Sequence, residues 1–121
     1  MQSYNARELP DGGSTVTLVD FNPTAASDDS LYIAVSVALQ QFMLFQISPN
    51  VLKALVAPDL QAIAKTFNLK LTIYSDFAES SCDGLNAINI FQDSNGRFMN
   101  IFYVNDTIIF DKFASQLEYY K

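Results

Sequence analysis

The sequence predicts an α+β fold, in which a buried central helix and further helices pack on a mostly antiparallel sheet of about four to five strands. Two observations predict it. Between Pro58 and Asp76 the apolar residues recur first at helical spacing and then, from Leu69, at every second position, so a helix leads directly into a strand. Asn68 lies at this change and suits the left-handed conformation that ends many helices. Further along the chain, short alternating segments separated by turn residues are typical of an antiparallel meander.

The length and composition indicate a single domain over residues 15–121. The chain has 121 residues, of which 50% are hydrophobic and 17% charged, so it can form one core and is too apolar for extensive disorder. Residues 1–14 are expected to form an arm or linker, because Pro10 and the Asp-Gly-Gly-Ser run after it break regular structure. Thr15–Phe21 is β-branched and alternating, which predicts a short strand.

The central helix is predicted from Leu31 to about Gln46. The segment Ser27–Ser30 before it consists of residues that cap helices, and its two carboxylates also suit the positive end of the helix dipole. The helix is apolar on nearly every face, which is typical of a helix buried on all sides. Its β-branched residues also suit a strand, but the segment is long for a strand and has no breaker, which favours the helix.

Turn residues divide the rest of the chain into short elements. Ser48 followed by Pro49 predicts the start of a second helix. The predicted elements are, in order, a helix over Pro49–Val56, the helix and strand of Pro58–Asp76, a polar loop over 77–84, strands over Leu85–Phe91 and Arg97–Val104 joined by a turn at Asp93–Gly96, a strand over Thr107–Phe110, and a short amphipathic helix over Phe113–Tyr120.

The charge balance and amino-acid usage exclude several classes of function. The net charge is −6 and no cluster of Lys and Arg is present, which argues against a nucleic-acid-binding surface. The chain has no histidine, which removes His-ligated metals, Ser-His and Cys-His nucleophile pairs and imidazole acid–base catalysis. Cys82 is the only cysteine, so no disulfide forms within the chain. With no apolar run that spans a bilayer and no signal-peptide pattern, we expect an intracellular protein of the cytoplasm, a viral particle or a host cytoplasm.

The remaining reactive side chains predict neither a cofactor nor a metal site. Glu79 and Asp83 lie near Cys82, and negative neighbours disfavour the thiolate that a catalytic cysteine needs. Asp93–Gly96 lacks the downstream glutamate of a calcium-binding loop, and turn chemistry explains it. Carboxylate chemistry around the Asp28-Asp29 pair is kept as an alternative.

One stretch at the start of the central helix, Asp-Asp-Ser-Leu-Tyr-Ile-Ala-Val-Ser-Val-Ala-Leu over residues 28–39, corresponds to a segment of the form Asp-Gly-x-Cys-Leu-Phe-x-Ala-Val-x-x-x-Leu, with Ser30 at the position of the Cys. It is followed by the helix LQAIAKTF, the strand LKLTIY and the segment Asn100–Val104. In this order of elements, over residues 25–105, the chain resembles the ovarian-tumour (OTU) type of papain-like cysteine peptidase, the deubiquitinase fold. The resemblance implies a papain-like architecture with the nucleophile position at the start of the central helix.

The resemblance assigns Ser30 to the position of the catalytic cysteine and Asn100 to that of the histidine. A serine hydroxyl is a poor nucleophile unless a base takes its proton, and an asparagine amide cannot serve as that base. The resemblance therefore implies a pseudoenzyme without a catalytic residue. We expect Ser30 to be a helix cap, and Asn100 to be a strand residue or to cap a neighbouring turn.

We predict a non-catalytic protein–protein interaction or structural module, a subunit or domain of a viral or other large assembly. The expected partner is another protein or a second copy, with no nucleic acid, membrane or small-molecule substrate. Tyr103, Tyr119 and Tyr120 are the candidate contact residues, because tyrosine supplies rigid amphipathic area. The alternatives are a residual deubiquitinase-like hydrolase acting through Ser30, and an acidic inhibitor that imitates nucleic acid, although the acidic residues are dispersed.

Overall fold

The computed structural model describes residues 2–8, 15–56, 60–76 and 78–103. Within these ranges the chain forms three helices and six strands. The helices are α1 (Ser27–Met43), α2 (Pro49–Val56) and α3 (Leu60–Phe67), and the strands are β1 (Gln2–Glu8), β2 (Thr15–Asp20), β3 (Leu69–Tyr74), β4 (Glu79–Ser81), β5 (Asn86–Gln92) and β6 (Phe98–Tyr103). No helix in the described ranges is long and apolar enough to cross a membrane. The strand predicted over Thr107–Phe110 and the helix predicted over Phe113–Tyr120 lie outside the described residues.

The strands form one sheet in the order β1-β2-β6-β5-β3-β4. Neighbouring strands are antiparallel except for β3 and β5, which are parallel because the chain passes through the edge strand β4 before it returns beside β3. The α+β class, the buried central helix and the mostly antiparallel sheet predicted from the sequence are confirmed.

Two strands lie where the sequence did not predict them. Residues 2–8, within the expected arm or linker, form β1 and pair with β2 along one edge of the sheet. β4 lies within the expected polar loop 77–84 and pairs with β3 on the opposite edge, where the hydroxyls of Thr72 and Ser81 are 2.9 Å apart. Polar edge strands are held by backbone hydrogen bonds, so they lack the apolar alternation that reveals a strand in a sequence. The sheet therefore has six described strands rather than four to five.

α1 begins one turn earlier and ends earlier than predicted. Ala26 is its N-cap residue and provides no side-chain cap, whereas Asp28 and Asp29 lie in the first turn, where the helix dipole favours carboxylates. Ser30 lies inside the helix, so the expectation that it caps the helix is wrong. At the other end, Leu44 has a φ of 53° and stops the helix in a left-handed conformation.

The core lies on both faces of the sheet, and α1 covers one of them. Ten consecutive α1 residues, Ser30–Leu39, are buried. The cluster between α1, the other helices and the sheet includes Val35, Leu39, Leu52, Ile63, Leu71, Ile88 and Ile90. A second cluster on the opposite face consists of Val16, Leu18, Tyr74, Phe91, Met99 and Ile101. Each fully buried aliphatic side chain stabilises the fold by about 1.5–3 kcal/mol, so burial of the first cluster holds α1 on its face of the sheet.

Candidate functional site

Ser30 lies in the first turn of α1 and faces β6. It is 2% exposed, and its hydroxyl accepts a hydrogen bond from the backbone N–H of Phe98 at 2.9 Å. The same hydroxyl donates to the carbonyl oxygen of Ser27. Both partners belong to the backbone of the protein, so this hydroxyl joins the start of α1 to the start of β6.

Asn100 lies on β6, two residues after Phe98, on the same face of the strand. It is 2% exposed, and its amide nitrogen donates to the carbonyl oxygen of Ala34 at 2.8 Å. Ala34 lies one helical turn after Ser30. The two residues singled out by the resemblance therefore lie along one contact between α1 and β6, where each binds the backbone of the opposite element.

A buried ion pair holds the loop that leads into α1. Arg97 pairs with Asp20 at the end of β2, and the side chains are only 16% and 5% exposed. The guanidinium also donates to the carbonyl oxygens of Asn22, at 2.6 Å, and of Ala25. Burying a charge is costly unless it is paired and hydrogen-bonded, and here both conditions are met. The sequence gives one signal of this pair, because Asp20 is a charged residue at the end of an apolar strand. Arg97 was predicted only to start a strand.

The start of α1 also borders a small depression of about 110 Å³, next to the N-terminus of α2. Lys53 and Asp29 form an ion pair at 2.7 Å on its rim, with both side chains about half exposed. The hydrogen bond to Asp29 and the charge of this carboxylate raise the pKa of Lys53 above its ordinary value. Because solvent screens exposed pairs, this contact orients α2 on α1 and adds little stability. The lining residues are Asn22, Ala25, Asp29, Tyr32, Ile33, Pro49, Asn50 and Lys53.

A wider, shallower depression of about 500 Å³ lies between α3 and the chain after β4. Cys82 lines it with Lys65 and Asp83, and the cysteine is free and partly buried. Across the described part of the chain, His, Cys, Asp and Glu nowhere form a group of three that could hold a metal ion.

Exposed apolar side chains lie where α1 and α3 end, beside the partly buried Phe67. The rings of Phe45 and Phe67 are in contact, with centroids 5.7 Å apart. The backbone N–H of Leu85 donates to the carbonyl oxygen of Asn68, the residue after Phe67, so Leu85 lies beside the end of α3. Leu44 and Leu85 are 82% and 80% exposed, and Phe42 and Phe45 are about half exposed. We call this group the apolar surface: Phe42, Leu44, Phe45, Phe67 and Leu85.

Leu44 is unusual within the apolar surface because its backbone is strained. Its φ of 53° and ψ of 31° are left-handed, and its N–H donates to the carbonyl oxygen of Gln40. This conformation costs an L-residue other than glycine about 1–2 kcal/mol, and glycine is the usual residue at such a helix end. At 82% exposure, burial of the side chain does not offset that cost. The stability of the isolated fold therefore gives no reason for a leucine here.

The apolar surface also lies in an uncharged part of an acidic chain. The sequence carries a net charge of −6, yet no charged residue occurs from Ser30 to Leu52. Among the described residues, the charged side chains next along the chain to Phe67 and Leu85 are those of Lys65 and Asp83, which have opposite signs. The described residues around this surface therefore contribute little net charge.

The structure does not describe the side chains of the sequence-predicted contact residues. The backbone of Tyr103 ends β6 opposite Val16, while the side chain of Tyr103 and both Tyr119 and Tyr120 lie outside the described part of the chain. The apolar pattern of the sequence predicts a buried helix as far as Gln46 and therefore does not reveal the apolar surface. The helix ends at Met43. Leu44 then reverses the backbone with its left-handed conformation, and the side chains of Leu44 and Phe45 point outward.

Comparisons with known proteins add nothing to this geometry. No protein-family model, no curated protein and no solved structure matches this chain.

Proposed function

We propose that this chain is a non-catalytic protein-interaction module that makes its contact through the apolar surface. The observation that carries the proposal is Leu44, whose side chain is 82% exposed on a backbone that favours glycine. A large apolar side chain that weakens the isolated fold is explained if a partner covers it, because burial then contributes about 1.5–3 kcal/mol. Patches of several exposed apolar side chains on a single chain are often functional.

The surroundings of Ser30 and Asn100 support a non-catalytic function. A serine nucleophile needs access to its substrate and a base within hydrogen-bonding reach. The Ser30 hydroxyl is buried and bonded to two backbone groups, and the chain has no histidine to take its proton. The amide of Asn100 is a donor to α1 and has no proton-accepting function at neutral pH.

We also propose that the chain is a degenerate relative of the OTU-type peptidases. The support for this is that Ser30 lies in the first turn of the central helix and faces the strand that carries Asn100. The single Cys82 excludes an internal disulfide and supports an intracellular setting, in the cytoplasm or in a viral particle, as part of a larger assembly.

Site-specific photo-crosslinking tests the contact surface directly. A photoreactive phenylalanine analogue at position 44 should give one discrete covalent product in the source cell, and its crosslinked peptide should map to a protein. The matched control is position 55, because Leu55 on α2 is also exposed, at 64%, but lies outside the apolar surface. The absence of a product at position 44, or the same products from both positions, would contradict the proposal.

A second experiment addresses the hydrolase alternative. The purified chain and its Ser30→Ala variant should both leave ubiquitin-like and peptide substrates uncleaved, with circular dichroism showing that each is folded. Turnover by the wild-type chain that disappears in Ser30→Ala would show that the hydroxyl is a nucleophile and would overturn the non-catalytic proposal.

A further inference from the structure

We infer that the occupant of the apolar surface is a second copy of this chain, packed around a two-fold axis, an inference that rests on the proposed function. In such an arrangement the same patch serves both copies, so it must be complementary to itself. An apolar patch without charged side chains meets this condition, because no opposite charges have to be paired across the contact. The area of the patch and the absence of charged side chains within it both favour this occupant.

The area of the apolar surface suits a small, transient interface. If each large side chain has about 200 Å² of surface, the exposed fractions of Phe42, Leu44, Phe45 and Leu85 amount to roughly 500 Å² for each copy. Two copies would bury at most about 1,000 Å² in total, which lies in the range of weak, transient protein–protein interfaces, below about 1,200 Å². The dimer is therefore expected to be reversible and to depend on protein concentration.

The charge distribution favours a second copy over a basic partner. A basic partner would be attracted to carboxylates, and no carboxylate occurs in the segment from Ser30 to Leu52 that supplies most of the surface. Two copies that each carry a charge of −6 repel one another over most orientations. Within the described part of the chain, the members of the apolar surface carry no charge, so contact through them adds no charge–charge repulsion of its own.

This charge distribution gives the dimer a characteristic response to salt. The Debye length falls from about 10 Å at 0.1 M to about 3 Å at 1 M, so added salt removes the repulsion between two acidic copies. Salt also strengthens apolar association when the anion is sulfate. The dissociation constant of the dimer is expected to fall several-fold over this range, whereas binding of a basic partner would weaken.

Sedimentation equilibrium on the full chain measures this dimer. The wild-type chain should pass from 13.5 kDa to twice that mass as its concentration rises, with a shift toward dimer in high salt. Leu44→Gly and Leu85→Ser should each raise the dissociation constant about tenfold or more, because two-fold symmetry removes each side chain twice. Leu55→Ser, which also removes an exposed leucine, should leave it unchanged.

Each outcome separates the dimer from the proposed function. A wild-type chain that stays at 13.5 kDa up to millimolar concentration overturns the dimer, while a crosslink from position 44 to a different protein would still uphold the contact surface. A dimer that persists in both Leu44→Gly and Leu85→Ser uses another surface, and this result also overturns the inference. Leu44→Asn provides a second variant at the same position, because asparagine tolerates the left-handed backbone.

Discussion

Replacing Leu44 by glycine measures how much the left-handed backbone at the end of α1 costs the fold. Relief of the φ of 53° should gain about 1–2 kcal/mol. Glycine also gives the unfolded chain more conformational freedom, which lowers the stability by about 0.4–1 kcal/mol and offsets part of this gain. Because the side chain is 82% exposed, its removal forfeits only a few tenths of a kcal/mol of burial, roughly one fifth of the value for a buried leucine. The variant should therefore be more stable by about 0.5 kcal/mol.

Urea denaturation at low protein concentration is the suitable assay, because association with a second copy would itself stabilise the folded state. Leu44→Ala is the matched control, since alanine removes the side chain but keeps the strained backbone, and its stability should stay within about 0.5 kcal/mol of the wild type. If Leu44→Gly is less stable than the wild type by 1 kcal/mol or more, the side chain contributes to packing. The reasoning that assigns it to a contact would then be refuted.

Three further predictions concern the fold around the site. Gly84→Ala should destabilise the folded state by about 3 kcal/mol or more and lower the midpoint of thermal unfolding, because a Cβ at this position would lie 2.1 Å from the carbonyl carbon of Leu69. An unchanged midpoint would mean that the loop moves freely. Arg97→Met should lower the free energy of unfolding, measured by urea denaturation, by about 3–5 kcal/mol, because it leaves the Asp20 carboxylate buried and unpaired. The double variant with Asp20→Asn should recover part of this loss, and no recovery would argue against the ion pair as the cause. The raised pKa of Lys53 means that its ion pair with α1 contributes stability below pH 10.5, and that this contribution is lost as the pH rises through the folded-state pKa. In Lys53→Gln the free energy of unfolding should therefore depend less on pH than in the wild type only above about pH 10. A difference between the two proteins in this pH dependence near neutrality would contradict the assignment.

The sequence predicted best where local chemistry and burial agree. Asn68 was expected to end a helix in the left-handed conformation, and its φ is 52° with β3 starting at the next residue. The central helix was expected to be buried on all sides, and its middle is buried throughout. In both cases one short segment carries the whole signal, as a period of apolar residues or a residue with an unusual backbone preference.

Features that depend on distant partners could not be predicted from the sequence. The hydroxyl of Ser30 was assigned to a cap because nothing local reveals the backbone of β6 that it binds. The exposure of Leu44 depends on where α1 ends, and no glycine marked that end. Apolar residues also predict burial by default, so a functional apolar surface has the same pattern in the sequence as a core.

The pair of Arg97 and Asp20 has a consequence for the order in which the chain acquires its structure. The two residues are 77 positions apart, and the guanidinium holds the turn before α1 by hydrogen bonds to its backbone. Contacts of such long separation form late, after the intervening chain has been ordered. During synthesis, the loop before α1 therefore lacks the guanidinium that binds its carbonyl oxygens until Arg97 has left the ribosome.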